Sequence, residues 1–317
     1  MSNAEKSNPV LQIADADYQP ALVAIDSAAI SQCKPAGALK SIGATLPRDS
    51  VALAHEGVPY FIAMNVLNFQ FWRVTDSGEF VRYRHNDLEG ALAMQAAFLA
   101  AWESVARRAE QAGRAGDIQF IATGAKHLFG TETLTSVFGD IPAIGKRAKL
   151  LLEVLQGFGE KLEDVSSIIL DSLRCRRELG WEHAQLLAQA FPESYGDDYL
   201  KKAQLTLMFI AGQWNESHPD QPCRLDVTVA ADYQLPKILR AMGILKYSPS
   251  MAATVDGKQL IEPETIAERA IRAATVLACE QLAEHLGCTV AEVDFFLWVN
   301  RNKAREAQFH LTRTTAY

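Results

Sequence analysis

Asp232 stands where a short alternating run, "TVAAD", meets the amphipathic stretch "YQLPKILRAMGILKYS". An aspartate just ahead of a helix that carries a proline in its first turn, here Pro236, has two roles open to it. It can accept the free amides of that turn, or it can keep its carboxylate for chemistry. Held beneath a sugar, a carboxylate stabilises the positive charge that develops as a glycosidic bond breaks. Residue type and spacing leave both roles open.

Other stretches carry similar pairs of readings. Lys201 and Lys202 in "FPESYGDDYLKKAQL" open a helix whose later turns are apolar. Their ammonium groups either snorkel to solvent or join the helix N-terminal amides around a phosphate. In "MNVLNFQFW", Asn65 and Asn68 are three apart and share a helix face, while Phe69, Phe71 and Trp72 either fill the core or wall a pocket for a flat heterocycle. Asp294 and Trp298 are spaced i,i+4 in "VDFFLWVNRNKA". His310, Arg313 and Tyr317 crowd the last residues, a combination that predicts a docked tail rather than a frayed one.

Several chemistries lose their usual signals. No G-x-x-x-x-G-K-[ST], G-x-G-x-x-G or H-E-x-x-H occurs, and the glycines of "GTETLTS" and "FGDIPAIG" lack the spacing of a backbone anion nest. Cys33, Cys175, Cys223, Cys279 and Cys288 form no C-x-x-C pair and have no histidine at ligand spacing. They read as reduced thiols, with no metal site expected. Thirty-one basic against 38 acidic residues leave a net charge of -7, which disfavours a duplex DNA or long RNA partner.

The elements that must position these residues are mainly helical. The clearest stripe is "NDLEGALAMQAAFLAAWESVARRAEQ", where Leu88, Leu92, Phe98, Leu99, Trp102 and Val105 line up and Asp87 is placed to cap the first turn. Further stripes run through "AKLLLEVLQGF", "EHAQLLAQAF", "YLKKAQLTLMFIAGQW", "ETIAERAIRAATVLACEQLAEHL" and "VAEVDFFLWVNRNKA". Strands are expected at "FVRYR", "IQFIAT" and "FHLTRTTAY". The breaks "EQAGRAGD", "FGDIPAIG" and "NESHPDQPC" are too short for domain linkers. With 317 residues, 49% hydrophobic and 22% charged, the chain reads as a single compact mainly α domain over residues 18–317 with a small β element, preceded by a flexible segment 1–17. Its polar start has no signal-peptide core and its apolar runs fall short of a membrane span, so a cytoplasmic protein is expected.

Taken in order, "LNFQFW", "VRYR", "FPESYGDD" before "KKAQ", "ADYQLPKILRAMGILKYS", "IRAATVLACEQL" and "VDFFLWVNRNKA" with "FHLTRTTAY" resemble the queuosine salvage family, the queuosine 5′-phosphate N-glycosylase/hydrolases, over roughly residues 60–317. The resemblance implies a helical fold related to helix-hairpin-helix DNA glycosylases. It also implies hydrolysis of queuosine 5′-monophosphate to queuine and ribose 5-phosphate, with no metal or organic cofactor and a small nucleotide as partner. Asp232 matches the carboxylate of the family's A-D-Y-R motif and Lys201 the first basic residue of K-R-A-Q. Phe69, Phe71 and Trp72 match its aromatic N-F-x-F-W segment. The candidate contacts are then Lys201, Asn68, Phe69, Phe71, Trp72, Tyr233, Asp294, Trp298, His310, Arg313 and Tyr317 around a catalytic Asp232. Two positions depart from the pattern: Gln234 replaces an arginine and Asn65 an aspartate. Rival readings are a glycosylase of another modified nucleotide or of a nucleic-acid base, and a nucleotide or queuine binder that has lost catalysis.

Overall fold

The computed structural model describes residues 8–34, 46–128, 131–156 and 159–317. Helix α1 (Pro9–Asp17), strand β1 (Val23–Ile25) and helix α2 (Ser27–Ser31) lead through an irregular 3₁₀ turn, Val51–Gly57, into α3 (Val58–Asn65). Four short strands follow, β2 (Trp72–Val74), β3 (Phe80–Arg82), β4 (Arg84–His85) and β5 (Leu88–Glu89). A run of helices comes next: α4 (Ala91–Gln111), α5 (Ile118–Leu128), α6 (Thr131–Phe138), α7 (Ile144–Leu155) and α8 (Glu160–Arg176). Strand β6 (Glu178–Gly180), α9 (Trp181–Ala190), α10 (Pro192–Tyr195) and α11 (Lys201–Ser217) precede β7 (Arg224–Asp226), α12 (Gln234–Ala241) and β8 (Leu245–Tyr247). The chain ends with α13 (Pro249–Asp256), α14 (Ile266–Leu286), α15 (Val290–Val299), a 3₁₀ turn at Arg301–Ala304 and an extended tail.

Helix α11 is the axis of the body. From Lys201 to Trp214 nearly every residue is buried, polar ones such as Gln204, Thr206 and Gln213 included, as expected of a helix surrounded on all sides rather than lying on a surface. It packs against α3 and α9. Helix α14 is rich in alanine where it is buried, which lets α1 and α15 approach closely. One hydrophobic cluster joins these helices from Val10 to Ala304, and a second, made by Trp72, Tyr233, Phe309, Leu311 and Tyr317, gathers beside the site. The strands make four separate pairs among the described residues, antiparallel β1–β8, β2–β3 and β4–β5 and parallel β6–β7.

The expected helices lie where the sequence puts them, but five local expectations are corrected. The buried face of α4 runs through Ala93, Met94, Ala97, Phe98, Trp102 and Val105, whereas Leu92 is exposed and Leu88 lies outside the helix in β5. "IQFIAT" belongs to helix α5, because Ile118, Ile121, Ala122 and Ala125 are buried at helical spacing and that burial outweighs the β-branched composition. "FHLTRTTAY" belongs to no strand; it makes one isolated bridge, Leu311 to Leu260, and its backbone meets the body at single points, the Leu311 and Tyr317 carbonyls accepting the Ile261 and Gln70 amides. Asp87 does not cap α4: it lies at a positive φ of 64° in the tight β4–β5 turn, and Gly90 occupies the cap position. Within the segment expected to be flexible, Pro9–Asp17 is helix α1, capped by Asn8 and anchored by fully buried Val10 and Ala14; residues 1–7 lie outside the described ones. Gly130 of "GTETLTS" also lies outside them, and Thr131–Phe138 is helical. Among the described residues no helix is long and apolar enough to cross a membrane.

Candidate active site

A cavity of about 590 Å³ opens between the 68–72 segment, the β3–β5 loops, the first turns of α11 and α12, helix α15 and the tail. It is lined by Asn68, Phe69, Phe71, Trp72, Lys201, Asp232, Tyr233, Asp294, Trp298 and Tyr317. His310 stands behind this wall, buried, with Nε2 3.1 Å from the Tyr317 hydroxyl. Arg313 is exposed and is not brought to the cavity.

Asp232 does cap its helix. The amides of Gln234 and Leu235 donate to Oδ1 at 2.7 and 3.2 Å, because the chain turns into α12 immediately after it. Both amides converge on one oxygen, and among the described residues no hydrogen bond reaches Oδ2. The cap therefore orients the carboxylate without consuming it. Burial raises the Asp232 pKa, while Lys201, the two amides and Arg301 oppose that rise.

Lys201 is not a snorkelling surface lysine. It is 3% exposed, and its Nζ donates to the Asn68 carbonyl at 3.0 Å. Burial lowers its pKa and the nearby charges of Asp232 and Asp294 raise it, so it acts as their common counter-charge. Asp294 accepts the Ala230 amide at 2.8 Å, and burial, reinforced by Asp232, lifts its pKa to about 7. Two carboxylates sharing one ammonium cannot both ionise freely. Lys202 is buried as well, with Nζ 3.4 Å from the Val66 carbonyl and 5.3 Å from the centre of the Phe69 ring. Burial and Lys201 lower its pKa to about 7.

The aromatic wall is fixed from behind. Arg147, on α7, is 1% exposed. Its guanidinium donates to the carbonyls of Leu67, Phe69 and Gln70, and to that of Pro142 at 2.9 Å, and it lies 4.0 Å from the Phe69 ring centre. Asn65 accepts the Asn68 side-chain amide at 3.1 Å, tying the end of α3 to the same segment. The opposite wall is the tail. Tyr317 donates to Glu268 at 2.8 Å, and its carbonyl accepts the Gln70 amide at 3.0 Å. Arg272 stands 4.8 Å from its ring and forms a two-bonded pair with Asp197 at 2.7 Å.

Sequence reasoning missed Arg82, Arg301 and Phe309, which line the cavity, although all three lie inside the quoted segments "VRYR", "VDFFLWVNRNKA" and "FHLTRTTAY". Arg147 gave no signal at all, because its partners are backbone carbonyls, three of them about 80 residues away. Gln234 also lines the cavity, and its buried Oε1 has no hydrogen-bond partner among the described residues.

A cavity with two carboxylates, Asp232 and Asp294, one ammonium shared between them and an aromatic wall suits hydrolytic chemistry on a flat, sugar-bearing ligand. The sequence profile described as "Queuosine salvage protein" matches residues 50–317, and the chain belongs to that family. A relative from Sphaerobacter thermophilus named "Queuosine 5'-phosphate N-glycosylase/hydrolase" is 26% identical over 274 residues, covering 81% of this chain and 80% of its own. One of the same name from Dictyostelium discoideum is 25% identical over 191 residues, 53% of this chain and 56% of its own. The matched region contains every residue that lines the cavity.

Proposed function

We propose that the chain hydrolyses the N-glycosidic bond of queuosine 5′-monophosphate, releasing queuine and ribose 5-phosphate. The observation that carries the reading is Asp232, whose Oδ1 is held by two amides and whose Oδ2 receives none, on a cavity walled by Phe69, Phe71, Trp72 and Trp298. The names of the two relatives supply the substrate.

In this reading the base lies against the aromatic wall and C1′ of the ribose faces Asp232. As the C–N bond stretches, positive charge grows on the sugar, and the carboxylate binds that state more strongly than the ground state. Lys201 opposes the rise that burial imposes on the Asp232 pKa. Asp294, titrating near neutrality, supplies a carboxyl that donates or accepts a hydrogen bond at pH 7. A deazapurine has no N7 lone pair to protonate, so the leaving group is activated at another site of the base or the barrier is lowered from the sugar side; water adds its oxygen to C1′ and its proton goes to the departing base nitrogen.

The same reading places the reaction in the cytoplasm, which the scattered free thiols support. It also treats the helical body as related to helix-hairpin-helix glycosylases, which a carboxylate at a helix start in a mainly α body supports. Purified protein incubated with queuosine 5′-monophosphate is expected to release queuine, detected by mass spectrometry. Asp232→Asn keeps the cap and removes the charge, so turnover should fall roughly 10²- to 10³-fold with little change in Tm. An Asp232→Asn enzyme that turns over like the parent sinks the catalytic assignment.

A further inference from the structure

We infer that Asp197, locked in place by Arg272, is a positioning residue for Lys201: it holds the first turn of α11 where the Lys201 ammonium can serve Asp232 and Asp294. Lys201 and both of those carboxylates line the cavity, whereas Asp197 and Arg272 do not. Asp197 therefore acts through Lys201. The first amides of a helix have no carbonyl of their own to bond, and Leu200, at the cap position of α11, offers no side-chain acceptor. Asp197 replaces the missing cap from three residues upstream. Its Oδ2 accepts the Lys201 amide at 3.0 Å, and its main-chain carbonyl accepts the Leu200 amide at 2.7 Å. The same turn sets Leu200 at φ 50° and ψ 31°, a left-handed conformation that a leucine keeps only where its surroundings impose it.

The carboxylate that does this is itself held rigidly. Arg272 donates to Oδ1 and Oδ2 through Nη1 and Nη2, each at 2.7 Å, a fork that fixes the plane of the carboxylate as one bond would not. Its guanidinium lies 4.3 Å from the ring centre of Tyr199 and 4.8 Å from that of Tyr317, and the side chains of Arg272 and Asp197 are 1% and 5% exposed. At the far end of the lysine, Nζ donates to the Asn68 carbonyl at 3.0 Å. A lysine stem is flexible, and where its ammonium stands follows from where the helix starts. The charged groups facing Lys201 are Asp232 before α12, Asp294 on α15, Asp197 ahead of α11 and Arg272 on α14. Displacing the ammonium from Asp232 removes the charge that opposes the rise burial imposes there. A merely structural ion pair predicts a loss of stability alone. A positioning pair predicts, in addition, that Asp232 takes up its proton at higher pH.

This role rests on the reading of Asp232 as the catalytic carboxylate, and two double variants test it without the substrate. Arg272→Met/Asp197→Asn keeps an oxygen for the Lys201 amide, and Arg272→Met/Asp197→Leu does not. Both replace the whole ion pair and carry the same charge, so they differ in the acceptor. In the substrate-free full chain, the carbon resonance of the Asp232 carboxyl, identified by its loss in Asp232→Asn, is followed through a pH titration. It should titrate close to the parent's pH in the asparagine variant and roughly one pH unit or more higher in the leucine variant. In turnover, the acidic limb of the kcat profile should move in the same order, with kcat on that limb lower by roughly tenfold or more for leucine and KM changed less. Where leucine is too large for the fold, Arg272→Met/Asp197→Val gives the same comparison. Coincident Asp232 titrations in the two double variants overturn the positioning role and leave the pair a structural one. A displaced titration in the leucine variant, from a parent that cleaves no queuosine 5′-monophosphate, would keep the positioning role and remove the reaction instead.

Discussion

Two buried arginines hold opposite walls of one cavity by different means. Arg272, on the tail side, meets the Asp197 carboxylate through two bonds of 2.7 Å, with Glu268 3.8 Å away. Burial would lower its pKa, but Asp197 and Glu268 outweigh that and raise it. Arg147, behind the aromatic wall, makes no ion pair among the described residues and gives its donors to four carbonyls; burial lowers its pKa to about 9. One charge is neutralised by a charge and the other is solvated by backbone. The first arrangement fixes two helices, α14 and the approach to α11, because Asp197 also accepts the Lys201 amide at 3.0 Å. The second fixes a segment without regular structure, which has no ladder of its own to satisfy those carbonyls.

The contrast breaks most sharply at Arg272. Arg272→Met leaves Asp197 and Glu268 buried without their cation, and stability should drop by roughly 3–5 kcal/mol. A second substitution, Asp197→Leu, should return a large part of that loss, since replacing a whole buried pair is far cheaper than breaking it. Chemical denaturation of the parent, both single variants and the double variant measures the rescue. Additive losses in the double variant would show that the pair is not the unit that matters.

Arg147→Met has no such partner to remove. Four carbonyls lose their donor, water reaches some of them, and the expected loss is smaller, about 2–4 kcal/mol. Its distinguishing mark is functional: with the 67–70 carbonyls released, Phe69 and Phe71 lose their fixed position, so KM for the nucleotide should rise more than kcat falls. A melting-temperature change with unaltered KM would reduce Arg147 to a packing residue.

What the sequence conveyed follows the same division. The helices α4, α11 and α14 were legible because apolar residues recur along one chain segment, although the face of α4 was begun too early, at exposed Leu88 and Leu92, and the segments that carry Asp232, Asp294 and the aromatic wall could be picked out. Lys201 and Lys202 read equally well as snorkelling residues, because pattern does not show whether a helix start faces solvent or the body. Helix α5 was misread through its isoleucines, whose partners are set by tertiary packing. Arg147 was invisible in principle: a backbone carbonyl has no side-chain signature, and every residue carries one. The approach of Arg82 and Arg301 to one cavity depends on a hairpin register and on where α15 ends, which residue types do not encode.

Asp294 offers the finest test, because it has neither a two-bonded partner like Arg272 nor a backbone cage like Arg147. It shares Lys201 with Asp232, and its pKa is raised to about 7, against roughly 3.9 in an unfolded chain. A carboxyl raised on folding binds its proton more tightly in the native state, so its contribution is full below about pH 4 and is lost as pH rises through 7. Three pH units set a ceiling of about 4 kcal/mol, and a cavity open to water brings the expected change to roughly 1–2 kcal/mol. Asp294→Asn keeps an oxygen for the Ala230 amide and removes the titration. Denaturation profiles from pH 4 to 8 should therefore be flatter for the variant than for the parent. Asp294 holds its proton while Asp232 ionises at lower pH, so the acidic limb of the kcat profile should stay in place in the variant. Parallel stability curves together with an acidic limb that moves to lower pH would show that Asp294 stays ionised and that Lys201 compensates both carboxylates at once.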